Sequence, residues 1–166
     1  MDRKDKIYEV LFVCTHNSAR SIMAEALLTS LGRGRFRAHS AGSHPSGQVH
    51  PMALLTLERM HLGTEGLRSK DWAEFAQPGA PALDFVLTVC DKAAGEVCPV
   101  WPGQPMTAHW GVADPAAAQD SAADLAQVFW DTATVLKRRI ELMLALPIAA
   151  LDSLALQQQM RDIGRQ

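Results

Sequence analysis

No apolar stretch in this sequence approaches the roughly 20 residues that a bilayer-spanning helix needs, which excludes a helical membrane protein. Basic residues never form a long run. With 16 Lys and Arg against 18 Asp and Glu, the formal charge is −2, so the electrostatic footprint of a nucleic-acid binder is missing. The opening Met1-Asp2-Arg3-Lys4-Asp5-Lys6 leads into a strand-like run and not into the apolar core of a signal peptide, so a cytoplasmic location is expected. Cysteine is scarce. Three of them, an odd number, suit redox or catalytic use in a reducing compartment better than a disulfide scaffold. Histidine and cysteine do not make zinc-ligand spacing, and no metal site is assigned. Internal repeats, linkers and low-complexity tracts are also missing. What remains, 166 residues of which 48% are hydrophobic, is enough for a single domain over residues 1–166 with a full core.

The chain is organised around one turn. The apolar run Ile7-Tyr8-Glu9-Val10-Leu11-Phe12-Val13 stops at Cys14, and Ser21-Ile22-Met23-Ala24-Glu25-Ala26-Leu27-Leu28 begins a helical spacing. A strand ending in a short loop before a helix N-terminus turns backbone N–H groups inward and builds a positive pocket sized for a tetrahedral oxyanion. The cradle is Thr15, His16, Asn17, Ser18, Ala19, Arg20 and Ser21. Arg20 can grip two anion oxygens with its planar fork, and Ser18 and Ser21 can donate hydroxyl hydrogens inward. Asn17 suits the left-handed residue that so tight a loop needs, and His16 falls on the rim. The same field stabilises a thiolate, so Cys14 is expected to have a depressed pKa and to act as a nucleophile.

Gly32-Arg33-Gly34 turns the chain into a second strand, Phe36-Arg37-Ala38-His39-Ser40-Ala41, stopped by Gly42. This βαβ unit predicts a parallel sheet with the Cys14 loop at its carboxyl edge, where open α/β sheets bind ligands. Helices are expected over Pro51 to Leu62, closed by Gly63, and over Asp71 to Ala76. Leu83-Asp84-Phe85-Val86-Leu87-Thr88-Val89-Cys90 reads as a third strand that delivers a second cysteine to the same edge. Met106 to Val112 is the expected fourth strand, leading to Asp114-Pro115. Ser121-Ala122-Ala123-Asp124 has the pattern of a helix N-cap. It opens a long helix with Leu125, Phe129, Leu136, Ile140 and Leu144 inward, stopped near Pro147, and a last helical spacing covers Leu151 to Ile163. These elements predict an α/β fold around a four-stranded parallel sheet.

The loop from Cys14 to Ser21, taken with Asp114-Pro115, resembles the low-molecular-weight protein tyrosine phosphatases. The blocks Val89-Cys90-Asp91 to Cys98-Pro99 and His109-Trp110-Gly111-Val112-Ala113-Asp114-Pro115 resemble the arsenate reductases that share that fold. Ser40-Ala41-Gly42 and Gly66-Leu67-Arg68-Ser69-Lys70 match as well, so the likeness covers roughly residues 7 to 146. It implies a three-layer sandwich and an arsenate reductase with no bound cofactor, served by an external thiol reductant, thioredoxin or glutathione with glutaredoxin. On that resemblance Cys14 attacks arsenate held by the loop and Arg20, and Asp114 protonates the departing oxygen. A carboxyl brought near an anion and partly buried holds its proton more readily. Cys90 then attacks the Cys14 sulfur, and Cys98 resolves the bond. Phosphate or sulfate would be weak ligands of the same cradle.

Departures from those relatives narrow the reading. Ala19 stands where some carry a further Cys, and His16 where a Gly is usual. Seven residues separate Cys90 from Cys98, one more than in thioredoxin-coupled relatives, so both donors stay open. Those relatives can hold a potassium ion, and Asn17, Glu25 and Ser40 match part of that site without its remaining ligand. A phosphotyrosine phosphatase would use Cys14, Arg20 and Asp114 in the same roles. Here Ala116-Ala117-Ala118 follows Asp114-Pro115, where such enzymes set an aromatic wall, and Cys90 and Cys98 would have no use. A non-enzymatic oxyanion or thiol-redox sensor would need a partner surface, and no long charged or apolar patch marks one. His109 is expected in the core or behind the site and not as a base. Along one straight helix Cys90 and Cys98 would stand about 12 Å apart, beyond the reach of about 7 Å between the Cα atoms of a disulfide. The segment from Asp91 to Trp101 is therefore expected to rearrange between reduced and oxidised states.

Overall fold

The computed structural model describes residues 6–91, 101, 103–117 and 121–166. In chain order the elements are β1 (Tyr8–Cys14), α1 (Arg20–Leu31), β2 (Phe36–Gly42), α2 (Pro51–Arg59), a 3-10 turn (Trp72–Ala76), β3 (Phe85–Thr88), β4 (Met106–His109), α3 (Ala122–Leu144), a second 3-10 turn (Ile148–Ala150) and α4 (Ser153–Ile163). The four strands form one sheet in the order β2-β1-β3-β4, and every pair is parallel. Alternate residues of a strand point to opposite faces, yet Val10, Leu11, Phe12 and Val13 of β1 are all 0% exposed. Helical layers therefore cover both faces, and the fold is the α/β three-layer sandwich that an all-parallel sheet requires.

Register places the chemistry. Cys14 pairs with Gly42 and Val13 with Thr88, and Val89 N donates to Val13 O at 2.8 Å, so the chain leaves β1 and β3 at one level. The pairing carries Cys90 to the same carboxyl edge as Cys14, as expected. β4 is shorter than the Met106 to Val112 predicted, but Trp110 N still donates to Thr88 O at 2.7 Å and Val112 N to Val89 O at 3.1 Å. These bonds guide the chain from β4 over the same edge toward Asp114.

The helices follow their caps. Ser121 accepts from Asp124 N at 3.1 Å to open α3, whose buried Phe129, Ala133, Leu136, Ile140 and Met143 repeat every three or four residues. Leu125 and Leu144 of the expected inward stripe are half-buried: the buried stripe starts only at Phe129, and Met143 takes its last inward position. Helix α2 stops at Arg59 and not at Gly63, since His61 adopts the left-handed conformation (φ 60°) in the turn that follows. Asp71 caps a 3-10 turn, not an α-helix, by accepting from Ala73 N. At the far side α4 closes on β4, where the fully buried Trp110 donates from Nε1 to Met160 O at 2.9 Å and packs its ring 6.3 Å from Phe12. Burial of a side chain of that size is worth about 3 kcal/mol. No described helix is long and apolar enough to cross a membrane.

Candidate active site

Cys14 is the last residue of β1 and is 3% exposed. The loop after it is held from outside by its carbonyls. Thr15 O accepts from His44 N at 2.8 Å, His16 O from Ser46 N at 3.0 Å and from the Ser69 hydroxyl at 3.1 Å, and Ser18 O from His50 N at 2.8 Å. A planar peptide points its N–H away from its carbonyl, so these bonds turn the N–H groups of His16, Asn17 and Ala19 toward the interior of the loop. Asn17 takes the left-handed conformation (φ 48°) that the sequence predicts. Gly42 is needed alongside, because a Cβ there would meet Thr15 O at 2.5 Å. Helix α1 then begins at Arg20, after Ala19 in the N-cap position, with no side-chain cap and no acidic residue in its first turn, which leaves its N-terminal N–H groups for an anion.

Buried polar side chains hold this cradle from beneath. Ser21 Oγ lies 3.0 Å from Cys14 Sγ and accepts from Asn17 Nδ2 at 2.7 Å, so its own hydrogen can turn to the sulfur. Asn17 Nδ2 also donates to Ser40 Oγ at 3.0 Å, while Asn17 Oδ1 accepts from Lys70 N at 2.9 Å. Arg20, half-buried at the start of α1, donates from Nη1 to Val112 O at 3.0 Å and so ties the cradle to the segment that carries Asp114. Above it opens a cleft of about 300 Å³, lined by Thr15, His16 and Arg20 on one side and Cys90, Asp91, Val112, Ala113 and Asp114 on the other. A larger cleft, of about 510 Å³, lies along β4 beside Arg161 and Arg165 and includes neither thiol in its lining.

Cys14 and Cys90 stand as buried thiols side by side and not as a disulfide. The Cys90 thiol in hydrogen-bond contact, followed by burial, pushes the Cys14 pKa well up, while the Ser21 hydroxyl and backbone pull it down. The depressed pKa expected from the loop alone is thus reversed in this arrangement. Cys90 is 2% exposed, and its sulfur lies 3.5 Å from Thr15 Oγ1.

Asp114 reaches the cleft but stays exposed, and its Oδ1 accepts from Ala116 N at 2.9 Å in a local turn. The partial burial expected of this carboxyl is absent because the chain comes to the surface at Ala113 and Asp114, between half-buried Val112 and buried Pro115. His16 lies exposed on the rim, as predicted, with Nδ1 at 3.2 Å from His44 O. Cys98 lies outside the described residues, as does the expected rearrangement over 92–100.

Of the two places expected for His109, the structure gives the one behind the site: exposed and so not a core residue, it bridges Thr88 Oγ1 at 2.7 Å and Asp91 Oδ1 at 2.6 Å, and thereby holds the residue next to Cys90. Gly111 leaves room for this bridge, since a Cβ on it would lie 2.5 Å from His109 Nε2. Other supporting residues escape sequence reasoning. Buried Arg139 of α3 donates to Trp110 O at 2.7 Å and Gly111 O at 3.1 Å, clamping the root of the Asp114 segment.

Comparison with known proteins agrees with this geometry. The family model described as low molecular weight phosphotyrosine protein phosphatase matches residues 9–157. A Synechocystis sp. protein named glutaredoxin arsenate reductase is 33% identical over 107 residues, covering 64% of this chain and 78% of that protein. A solved arsenate reductase in the phosphate binding state superposes with a TM-score of 0.60 at 27% identity, over 81% of this chain and 94% of the other. A thioredoxin-dependent arsenate reductase from Corynebacterium glutamicum gives 0.54 at 26% identity, over 82% and 63%. The cradle, its register and these matches together place the chain in the low-molecular-weight phosphotyrosine protein phosphatase family, alongside members named arsenate reductases.

Proposed function

We propose that this protein reduces arsenate to arsenite and returns to its starting state through a relay of cysteines. The observation that carries the reading is the second buried thiol, Cys90, placed against Cys14 at the mouth of an oxyanion cradle. Arsenate would be held by the inward N–H groups and the fork of Arg20, and a solved relative described as an arsenate reductase in the phosphate binding state supports a tetrahedral oxyanion ligand. The Cys14 thiol gives up its proton to solvent and bonds to arsenic while the bond from arsenic to a hydroxyl oxygen breaks. The departing hydroxyl takes the proton of Asp114 and leaves as water, and Asp114 regains a proton from solvent. Cys90 then attacks Cys14 Sγ, the S–As bond breaks, and its electron pair stays on arsenic. The two electrons lost by two thiols appear in arsenite. Cys98 displaces Cys14 from the disulfide, and an external dithiol or glutathione reduces the Cys90–Cys98 pair. No bound prosthetic group is required.

Both donor types occur among the relatives, one named for glutaredoxin and one for thioredoxin, so the donor is settled by assay. The reading treats residues 1–166 as one working domain in the cytoplasm, where such donors are reduced. The rival, phosphotyrosine hydrolysis, is disfavoured by the small exposed Ala116 and Ala117 after Asp114-Pro115, where a phenyl ring would need a wall. Arsenite release with a thioredoxin or glutathione/glutaredoxin regenerating system, run beside p-nitrophenyl phosphate hydrolysis, separates the two. Arsenite release that disappears in Cys90→Ser is expected. Hydrolysis that survives Cys90→Ser, with no arsenite from the parent, would replace reductase by phosphatase.

A further inference from the structure

Asn17, Glu25 and Ser40, which match part of a potassium site in related reductases, do not stand around an open cation position here. The Lys70 side chain, 8% exposed, enters the cluster. Its Nζ donates to Arg68 O at 2.8 Å, lies 3.5 Å from Ser40 Oγ and pairs with Glu25 Oε1 at 3.6 Å. Ser40 in turn donates to Glu25 Oε1 at 2.6 Å. A potassium ion bound to these oxygens would have to share one carboxylate with a fixed ammonium, and like charges at that separation repel. The residues present therefore do not fit a resident potassium ion.

We infer that Lys70 is a built-in replacement for a monovalent cation and acts as a positioning residue for the Cys14 loop. The inference rests on that loop being the oxyanion cradle proposed above. Lys70 holds Asn17 from two directions. Its backbone N donates to Asn17 Oδ1, which fixes the amide orientation, and its ammonium balances the Glu25 carboxylate that anchors Ser40, the acceptor for Asn17 Nδ2. The other Nδ2 hydrogen then goes to Ser21 Oγ, and Ser21 directs its hydroxyl to Cys14 Sγ. Burial draws the Lys70 pKa down and Glu25 draws it back up, as for a cation kept inside by its counter-ion. Losing the ammonium removes the charge paired with Glu25, whose side chain is 16% exposed, and leaves only the more distant interaction with Arg68 beneath the loop.

The test compares wild type, Lys70→Met and the double variant Lys70→Met/Glu25→Gln in potassium chloride and in tetramethylammonium chloride at equal ionic strength. Thermal midpoint, its rise on adding phosphate, and arsenate kcat and KM are measured in each salt. Wild type is expected to behave alike in both salts. Lys70→Met should melt lower and bind phosphate more weakly, with the arsenate KM raised on the order of tenfold and kcat changed less, because a slightly displaced loop loses anion contacts. Potassium should restore part of each loss and tetramethylammonium none. Neutralising Glu25 as well should recover the midpoint without potassium, which keeps the test usable if Lys70→Met folds poorly. A wild-type midpoint raised by potassium alone, or a Lys70→Met with unchanged phosphate binding and KM, would overturn the inference. If wild type binds phosphate with this salt pattern but releases no arsenite, the reductase reading falls and the role of Lys70 stands.

Discussion

The cleft has two walls, and they are built by opposite means. On the nucleophile side Thr15, Asn17 and Ser21 are 3%, 0% and 0% exposed, and the polar atoms of Asn17 and Ser21 are tied into one another and into Ser40 and Lys70. On the other side Asp91 and Asp114 are exposed, and each carboxylate has a single local contact given above: His109 for one, Ala116 N for the other. A preorganised wall suits the binding of an anion whose shape does not change, because no reorganisation is needed when it arrives. An open wall suits a sequence in which Cys90, already beside Cys14, must bond to it and later leave it. Substitutions of the anion-gripping groups on the first wall should therefore weaken binding and chemistry together, while those on the second should separate the steps.

The largest effect tests the first wall. Cys14→Ser should lower arsenate reduction on the order of 10⁴-fold or more with the fold kept, because the cradle remains and only the nucleophile is gone. Arg20→Lys should cost on the order of 10²-fold or more, with a weakened phosphate response, since a point charge cannot replace the bidentate fork. Comparable turnover in Cys14→Ser, or full phosphate affinity in Arg20→Lys, would erase the contrast between the walls.

Asp114→Asn belongs to the second wall and should slow only the first step, by about 10²-fold, because that step alone needs a proton on the departing oxygen. Quenched-time trapping of the Cys14–Cys90 disulfide measures it. Formation at the parental rate would reduce Asp114 to the turn residue that its bond to Ala116 N also makes it.

Next in size is a pH effect that crosses between the walls. Because the Cys90 thiol is the first cause raising the Cys14 pKa, Cys90→Ala should move the pH midpoint of Cys14 alkylation by iodoacetamide downward, read with Cys98→Ser in the background. The stability consequence has a definite sign. A folded pKa above the unfolded value, about 8.5 for a free thiol, stabilises the fold fully below that value and is lost as pH rises through the folded pKa. The parent should thus lose stability in alkali that Cys90→Ala does not lose, as followed by thermal midpoints between pH 7 and 10. An unchanged alkylation midpoint would mean that the two thiols do not interact.

Much of the first wall was legible in the sequence and little of the second. β1, the Cys14 loop and α1 are contiguous, so apolar periodicity, an abrupt stop and the chemistry of Asn17 sufficed to place them, and the left-handed Asn17 follows from the same local constraint. The parallel order of strands brought Cys90 to the Cys14 edge before any contact was known. Contacts made by tertiary packing were not legible. Lys70 meets Asn17 across 53 positions and Arg139 meets Trp110 across 29. The reversal at Cys14 has the same origin: its loop was readable, but the thiol pressed against it comes from another strand. His61 replaced Gly63 at the end of α2 for a smaller reason, since a left-handed residue was needed two positions earlier than the glycine stands.

The smallest predicted effect sharpens the contrast from the exposed side. A Cβ on Gly111 would lie 2.5 Å from His109 Nε2 and 2.7 Å from Asp91 Oδ1, and both are far ends of side chains that can swing away. Gly111→Ala should therefore part His109 from Asp91 and leave the sheet alone. With the two side chains 42% and 94% exposed, water takes over their contacts, and the loss of stability should be about 1 kcal/mol or less. A double-mutant cycle distinguishes this from a backbone effect. If Gly111→Ala acts only by parting the pair, adding His109→Ala should lower the thermal midpoint no further than either change alone. Additive losses would instead place the strain in the Trp110–Gly111 backbone that Arg139 clamps, and the second wall would then be as tightly built as the first.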